Sequence, residues 1–434
     1  MQTLENYFEF TRHQTTWRRE AIAGLTTFLT MAYIIFVNPA ILAETGMPAP
    51  AVTAATCLSA GLASILMGAI ARYPIAMAPG MGLNAYFTFG VVKGMGVPWQ
   101  TALGAVFLSG VLFLLLTATG IRRWIVESIP RSLYSAVAVG IGLFIALIGM
   151  KNAGLVTPSP ATIITLGNLR APGALLAIAG LLLTAALLIY GVRAAILIGA
   201  AATTCASVLL GRTTLSGGAP PLHALSQTAF QLDIPGAFQL GLAEIIFAFL
   251  FVDLFDNLGT LLAVTHRAGL IEKDGRIPRL ERILAADSLA TVAGSLFGTS
   301  TVVSYIESAS GVAAGGRTGV TAIVTGLLFF ASLFLAPFLG VIPAAATAPA
   351  LILVGALMMA HTTEIEWSDL RDAIPAFLTI IAIPLTFSIA NGLSLGFLSY
   401  ALLQLLTGRG RQVAPFVYIL AAILALRFMY LGSG

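Results

Sequence analysis

From Gly298 to Gly319 the chain reads Gly-Thr-Ser-Thr-Val-Val-Ser-Tyr-Ile-Glu-Ser-Ala-Ser-Gly-Val-Ala-Ala-Gly-Gly-Arg-Thr-Gly, which sets one carboxylate, Glu307, among glycine and hydroxyl residues. The surrounding sequence is 58% hydrophobic and only 9% charged. In bilayer hydrocarbon every peptide N–H and C=O must be bonded within the protein, so a segment this poor in regular helix formers survives only where other protein or a water-filled cavity satisfies its backbone. An ionisable side chain at that depth costs at least about 2.5 kcal/mol and marks a functional position. The segment therefore reads as the lining of a cavity, and membrane transport is the leading expectation.

The rest of the chain supports a membrane reading. Its mean hydropathy is +0.96, and apolar runs over 21–41, 101–119 and 174–190 each approach the roughly 20 residues needed to span hydrocarbon. Counting such runs, broken ones included, gives about 12 to 14 crossings, which leaves little chain for a soluble domain. The net charge of +4 does not point to nucleic acid, because the bases sit at the ends of spans: Arg12, Arg18 and Arg19; Arg122, Arg123 and Arg131; Arg193; His266, Arg267, Lys273, Arg276, Arg279 and Arg282; Arg409 and Arg411. Lys and Arg accumulate in cytoplasmic loops, so the N-terminus is expected inside, with the first apolar run kept as a helix. Cys57 and Cys205 fall in apolar spans, and His13, His223, His266 and His361 lack ligand spacing, so no disulfide, metal or cofactor is expected.

Hydrophobic runs and Gly, Pro and charge punctuation place spans near 20–43, 52–72, 98–120, 131–151, 172–191, 193–211, 238–265, 281–297, 319–341, 344–361 and 373–390. Two further segments, 75–93 and 299–315, are interrupted. In the tail, Asn391-Gly392 is read as a possible re-entrant break, and the last run from Pro415 as either a crossing or a surface helix. A shift of 223 lays Asn84 on Glu307, Thr30 on Asp253 and Tyr33 on Asp256, a weak internal repeat. About seven segments per half is an odd number, so the halves would be inverted, and broken helices meeting at the midplane are the best sequence pointer to a transporter's site.

Several residues are candidates for chemistry. Asp253 and Asp256 stand three apart, on one helix face. Two carboxylates on adjacent turns repel, so one is expected to hold a proton or find a donor, as proton coupling requires. For Asp256 the plainer alternative is a brace for the neighbouring break. Glu307 precedes a small-residue run that begins a half-helix, whose free N–H groups are expected to face the cavity beside it. Such a pairing grips a neutral planar heterocycle: the carboxylate accepts from ring N–H groups while backbone N–H groups reach carbonyl oxygens or ring nitrogens. In Ala76-Met-Ala-Pro-Gly-Met-Gly-Leu-Asn-Ala-Tyr-Phe87, Pro79, Gly80 and Gly82 interrupt the partner helix. There Asn84 offers a donor and an acceptor, and Tyr86 and Phe87 are read as stacking on the ring or as packing. Asp287, 20 residues ahead of Glu307, is read as a brace or a proton relay.

These residues resemble the purine nucleobase permeases of the azaguanine-permease type, within the nucleobase:cation symporter and nucleobase–ascorbate transporter group. The likeness covers essentially the whole chain. It rests on Gly24-Leu-Thr-Thr-Phe-Leu-Thr-Met-Ala-Tyr-Ile-Ile-Phe-Val-Asn-Pro39, Ala78-Pro-Gly-Met-Gly-Leu-Asn-Ala-Tyr86, Gly142-Leu-Phe-Ile-Ala-Leu-Ile-Gly-Met-Lys-Asn152, Leu254-Phe-Asp-Asn-Leu-Gly-Thr260, Ser304-Tyr-Ile-Glu-Ser308 and Gly315-Gly-Arg-Thr-Gly319. The resemblance implies an all-α polytopic membrane protein of two inverted seven-segment repeats, with two broken segments carrying short extended stretches at the midplane. It implies a core domain (20–120 and 238–341) and a gate domain (121–211 and 342–434), after a cytoplasmic N-terminus (1–19) and with an extracellular loop (212–237) between the halves.

It also implies a homodimer in the bacterial cytoplasmic membrane that moves purines by proton symport, the core sliding against the gate. Asp253, Glu307, Asn84, Tyr305, Ile306 and Phe87 are the substrate-site expectations. Asp253, Asp256, Asp287 and Glu307 are expected to serve proton coupling or core integrity. Adenine-type bacterial members of the family carry a neutral residue at the position of Asp253, so hypoxanthine and guanine are the expected substrates, with adenine as alternative. An anion exchanger on the same fold is the rival transport reading, and a membrane enzyme or scaffold the rival from another class.

Overall fold

The computed structural model describes residues 2–120, 125, 128–213, 221–239, 243–271, 277–334 and 342–430. Among these, eight helices are long and apolar enough to cross a bilayer: Trp17–Thr45, Ala49–Ala71, Trp99–Ala118, Arg131–Asn152, Pro172–Ile189, Ile245–Ala268, Ala344–Glu364 and Ile389–Leu406. Ala195–Leu209, Gly319–Ser332 and Pro415–Leu426 are shorter apolar helices, and Leu280–Phe297 and Leu370–Thr386 complete the set. In the tail Asn391-Gly392 is no break. The chain reverses at Phe387 (φ 49), Ser388 caps the next helix by accepting from Asn391 N, and both residues lie in the first turn of Ile389–Leu406.

Extended structure is confined to β1 (Met77–Pro79), β2 (Val156–Ser159), β3 (Ile163–Leu166) and β4 (Val302–Ser304) among the described residues. β2 and β3 form an antiparallel hairpin that the sequence reading missed, although Val156-Thr157 and Ile163-Ile164-Thr165 are β-branched runs. β1 and β4 pair antiparallel across the two halves, Ala78 opposite Val303. Pro79 and Val302, paired in the strands, are 223 residues apart, but the half-helix caps Gly80 and Glu307 are 227 apart. The cause is local: Gly80 alone separates β1 from its half-helix, whereas Tyr305, Ile306 and Glu307 separate β4 from Ser308–Ala313. Glu307 is therefore the counterpart of Gly80, and Asn84 is not its repeat mate.

The helices pack as two groups, each drawing on both halves of the sequence. One joins Trp17–Met31, Ala49–Leu66 and Trp99–Ala118 to Leu280–Phe297 and Gly319–Ser332. The other joins Arg131–Asn152, Pro172–Ile189 and Ala195–Leu209 to Ala344–Met358, Leu370–Thr386 and Ile389–Leu406. In lipid, helices gain little by burying apolar surface and associate instead through close van der Waals contact at small residues. That rule is visible where Ala49–Ala71 crosses Gly319–Ser332: a Cβ on Gly326 would lie 2.5 Å from Gly61 O, and one on Gly319 only 1.9 Å from Gly68 O. Both glycine pairs are seven residues apart, two helical turns, so backbone meets backbone twice along the seam. Gly319→Ala is expected to destabilise the protein by about 1 to 3 kcal/mol through overpacking. A melting temperature in detergent equal to wild type would reject that seam as a stability determinant.

Candidate functional site

The crossing of β1 and β4 places irregular backbone deep in the protein, and its polar groups are satisfied by neighbouring helices. Gly80 N donates to Thr301 O (2.9 Å) and Tyr305 N to Ala76 O (3.0 Å). Ser64 Oγ accepts from Met77 N (2.9 Å), Ser308 Oγ from Ala76 N (3.0 Å) and Asn257 Oδ1 from Ser304 N (3.3 Å), while Thr291 Oγ1 donates to Val302 O (3.1 Å). Tyr305 OH donates to Pro79 O at 2.5 Å, tying one break to the other. Short hydroxyl and amide side chains on four surrounding elements thus replace the water that an open strand would need.

Beside the crossing lies a cavity of about 100 Å³. One wall is the crossing itself, with Gly80, Met81, Gly82, Val303, Ser304, Tyr305, Ile306 and Glu307, joined by Tyr33, Gly259 and Thr260. The opposite wall comes from the second helix group: Tyr134, Ala138, Ile141 and Ile145, then Val354, Met358 and His361. The two groups touch closely here, since a Cβ on Gly82 would meet Ile141 Cγ2 at 2.4 Å and one on Gly259 would meet Tyr134 OH at 2.0 Å. Glu307 is the carboxylate of the lining, and Tyr33 OH donates to its Oε1 at 2.5 Å. His361 is the one base among the described lining residues, and its Nδ1 lies 3.4 Å from Glu364 Oε1. The arrangement offers one strong acceptor, a hydroxyl already engaged with it, and walls that mix apolar side chains with Tyr134, Thr260, Ser304 and His361.

Of the six residues expected at the substrate, the structure brings Glu307, Tyr305 and Ile306 to the cavity. It places the other three elsewhere. Phe87 is fully buried, packed with Tyr86 against Phe249, so these rings are core and do not line the cavity. Asn84 is also fully buried, its Oδ1 accepting from Ser300 Oγ, and it steadies the approach to β4. Asp253 is 1% exposed on Ala243–Ala268, one turn before Asn257 and two turns before Thr260, and is not among the described residues that line the cavity. Asp256 lies between Asp253 and Asn257, its side chain outside the described residues. Asp287 is fully buried on Leu280–Phe297, the helix whose Thr291 holds β4.

One expectation needs correction. The leading N–H groups of Ser308–Ala313 are not free donors: Ser308 N, Ala309 N and Ser310 N donate to the carbonyls of Tyr305, Ile306 and Glu307. A tight turn, invisible in the composition of the run, closes them off.

Three residues escaped the sequence reading. Tyr33 appeared there only as a repeat partner, yet it is the hydrogen-bond partner of Glu307. His361 was read as a span-end residue, but the kink into Met359–Glu364 turns it to the cavity. Glu20, a lone acid after Arg18-Arg19, is fully buried and accepts from Thr15 Oγ1, Arg317 N, Thr318 N and Thr321 Oγ1. It thereby fixes the turn that leads into Gly319–Ser332, the helix that Thr318 caps by accepting from Val320 N.

Known proteins share both sequence and fold. A family model described as a permease family, Xan_ur_permease, matches residues 18–395. The adenine permease AdeP of Escherichia coli K12 is 46% identical over 99% of this chain and 97% of its own length. The guanine/hypoxanthine permease PbuG of Bacillus subtilis is 45% identical over 99% of this chain and all of its own. Among solved structures, the transmembrane domain of the cyanobacterial bicarbonate transporter BicA superposes with a TM-score of 0.65, at 17% identity, over 87% of this chain and 97% of that one. The shared fold is the inverted repeat with core and gate, in a multi-pass membrane protein.

Proposed function

Because the chain belongs to the permease family, whose members are transporters and not enzymes, we propose that it imports purine nucleobases by proton symport. The observation that carries the reading is Glu307: a carboxylate lining a cavity between two helix groups, with a hydroxyl already bonded to it. A neutral purine presents ring N–H donors to such an acceptor, and its flat faces suit walls of Ile141, Ile145, Val354 and Met358. Tyr305 and Ile306 flank the ring, and Tyr33 yields its hydrogen bond when substrate arrives. Hypoxanthine and guanine are the favoured bases, adenine the alternative.

Proton coupling is assigned to the Asp253 and Asp256 region of the core. An ionised pair there raises the cost of moving the core through hydrocarbon, and protonation removes it. The core (20–120 and 238–341) then slides against the gate (121–211 and 342–434) in a homodimer, with the N-terminus in the bacterial cytoplasm. An anion exchanger is disfavoured because the described lining holds a carboxylate and neither Arg nor Lys.

The test is uptake of radiolabelled hypoxanthine, guanine, adenine, xanthine and uracil into cells lacking their own nucleobase permeases, with and without a protonophore. Purine uptake abolished by the protonophore is the expected result, and no uptake of any base from protein at the membrane would turn the reading toward anion exchange. Asp253→Asn is expected to lose most proton-driven accumulation while retaining purine binding; accumulation at the wild-type level would remove Asp253 from the coupling.

A further inference from the structure

At the end of the core that carries the N-terminal helix Gln2–Tyr7, a second and larger cavity of about 710 Å³ is lined by an arginine cluster. Arg12, Arg72, Arg279 and Arg282 face it, and Glu9 is the one carboxylate among the described lining residues. Glu9 Oε1 accepts from Arg72 Nη1 (3.4 Å) and Arg279 Nη1 (3.2 Å), and Oε2 from Arg12 Nη1 (2.8 Å). With His13 neutral, four guanidinium groups against one carboxylate leave a formal excess of +3.

Two of the four arginines are held in place, while Arg12 and Arg282 are exposed. The side chains of Arg72 and Arg279 are only 22% and 23% exposed, and Arg72 Nε is buried without a hydrogen-bond partner among the described residues. The Arg72 guanidinium lies 3.9 Å from the Tyr7 ring centroid, and that of Arg279 lies 5.7 Å from Tyr73. Glu9, Arg72 and Arg279 all have left-handed backbone (φ 57, 62 and 57), three of seven such non-glycine residues described. Strained backbone of this kind persists where surrounding structure enforces it, and it tends to gather at ligand sites. Burial pushes the Glu9 carboxyl up, but the Arg12 hydrogen bond and the charges of Arg279 and Arg12 outweigh it and hold Glu9 below its ordinary value. Glu9 is thus an anion at neutral pH, occupying a place built for more negative charge than it supplies.

We propose that this cavity binds a phosphate group, with Glu9 as its internal competitor: the arginines fork onto the phosphate oxygens as they now fork onto the carboxylate. A soluble phosphate ester and an anionic lipid headgroup share that chemistry. Displacing Glu9 would break its three arginine contacts, one of the ties that hold the segment 2–13 to the core, which couples the anion to that segment.

The proposal is independent of the transported substrate and is read without transport. The full-length protein is purified in detergent and its melting followed against inorganic phosphate and ribose 5-phosphate, which carries no base, then in vesicles of phosphatidylcholine alone or mixed with phosphatidylglycerol. A saturable rise in melting temperature with a soluble probe identifies a free anion, and a rise only with phosphatidylglycerol identifies a headgroup. Arg282 is exposed, so Arg282→Gln leaves the Glu9 contacts in place, and it is expected to weaken the response about tenfold. Glu9→Gln, by removing the competitor, is expected to strengthen it, which a purely structural ion cluster would not do. No response to any probe, or a wild-type response in both variants, would overturn the proposal.

Discussion

Replacing Glu307 with glutamine is expected to weaken purine binding by about ten- to a hundredfold while the protein still folds. Hydrogen bonds to a charged acceptor contribute about 1.5 to 3 kcal/mol, against about 0.5 to 1.5 for neutral pairs, and each 1.4 kcal/mol is tenfold. Glutamine keeps the size of the side chain but loses the charge, and its amide turns an N–H donor toward the donors of the purine. Equilibrium binding of labelled hypoxanthine to purified protein measures this directly. Tyr33→Phe supplies the control, since it removes the hydroxyl that now occupies Glu307 Oε1 at 2.5 Å. Purine affinity in that variant is expected to be kept or improved. Wild-type affinity in a folded Glu307→Gln protein would end the assignment of Glu307 as the substrate acceptor.

The largest stability loss is expected from Glu20→Ala, about 3 to 5 kcal/mol. The carboxylate is fully buried and satisfies four donors, Thr15 Oγ1, Arg317 N, Thr318 N and Thr321 Oγ1. Alanine leaves them without their acceptor, and it loosens the turn that leads into Gly319–Ser332, at the end where that helix meets Gly68. Lower membrane yield and a lower melting temperature in detergent are the readouts, with Glu20→Gln recovering part of the loss because one acceptor oxygen remains. An unchanged melting temperature in Glu20→Ala would show that water or a rearranged turn replaces the carboxylate.

Much of the fold was legible because its signals are local. Apolar runs about 20 residues long and the Gly, Pro and Arg residues between them located the spans, and the two breaks were visible as Pro79-Gly80-Met-Gly82 and the hydroxyl-rich run before Glu307. Both breaks are strand and half-helix in the structure. The repeat itself was legible, but its register was not, because the two extra turn residues before Glu307 shift the second half without changing its composition.

The candidate site was legible only in part. Glu307 stood out because a carboxylate among small residues in an apolar chain has few other uses. Phe87 and Tyr134 could not be told apart by type: both are aromatic and both lie on helices, yet one packs on Phe249 and the other lines the cavity. Which face of a helix meets a cavity depends on how the helix is rotated, and that rotation is set by packing against partners remote in sequence. The sequence by itself therefore determined the spans, the breaks and the acid, Glu307, that the described lining of the cavity holds. Tertiary structure alone decided that Tyr33 bonds Glu307 across 274 residues and that Glu20 caps a turn 297 residues away. Such contacts form only once inverted halves interleave, and no periodicity along the chain encodes them.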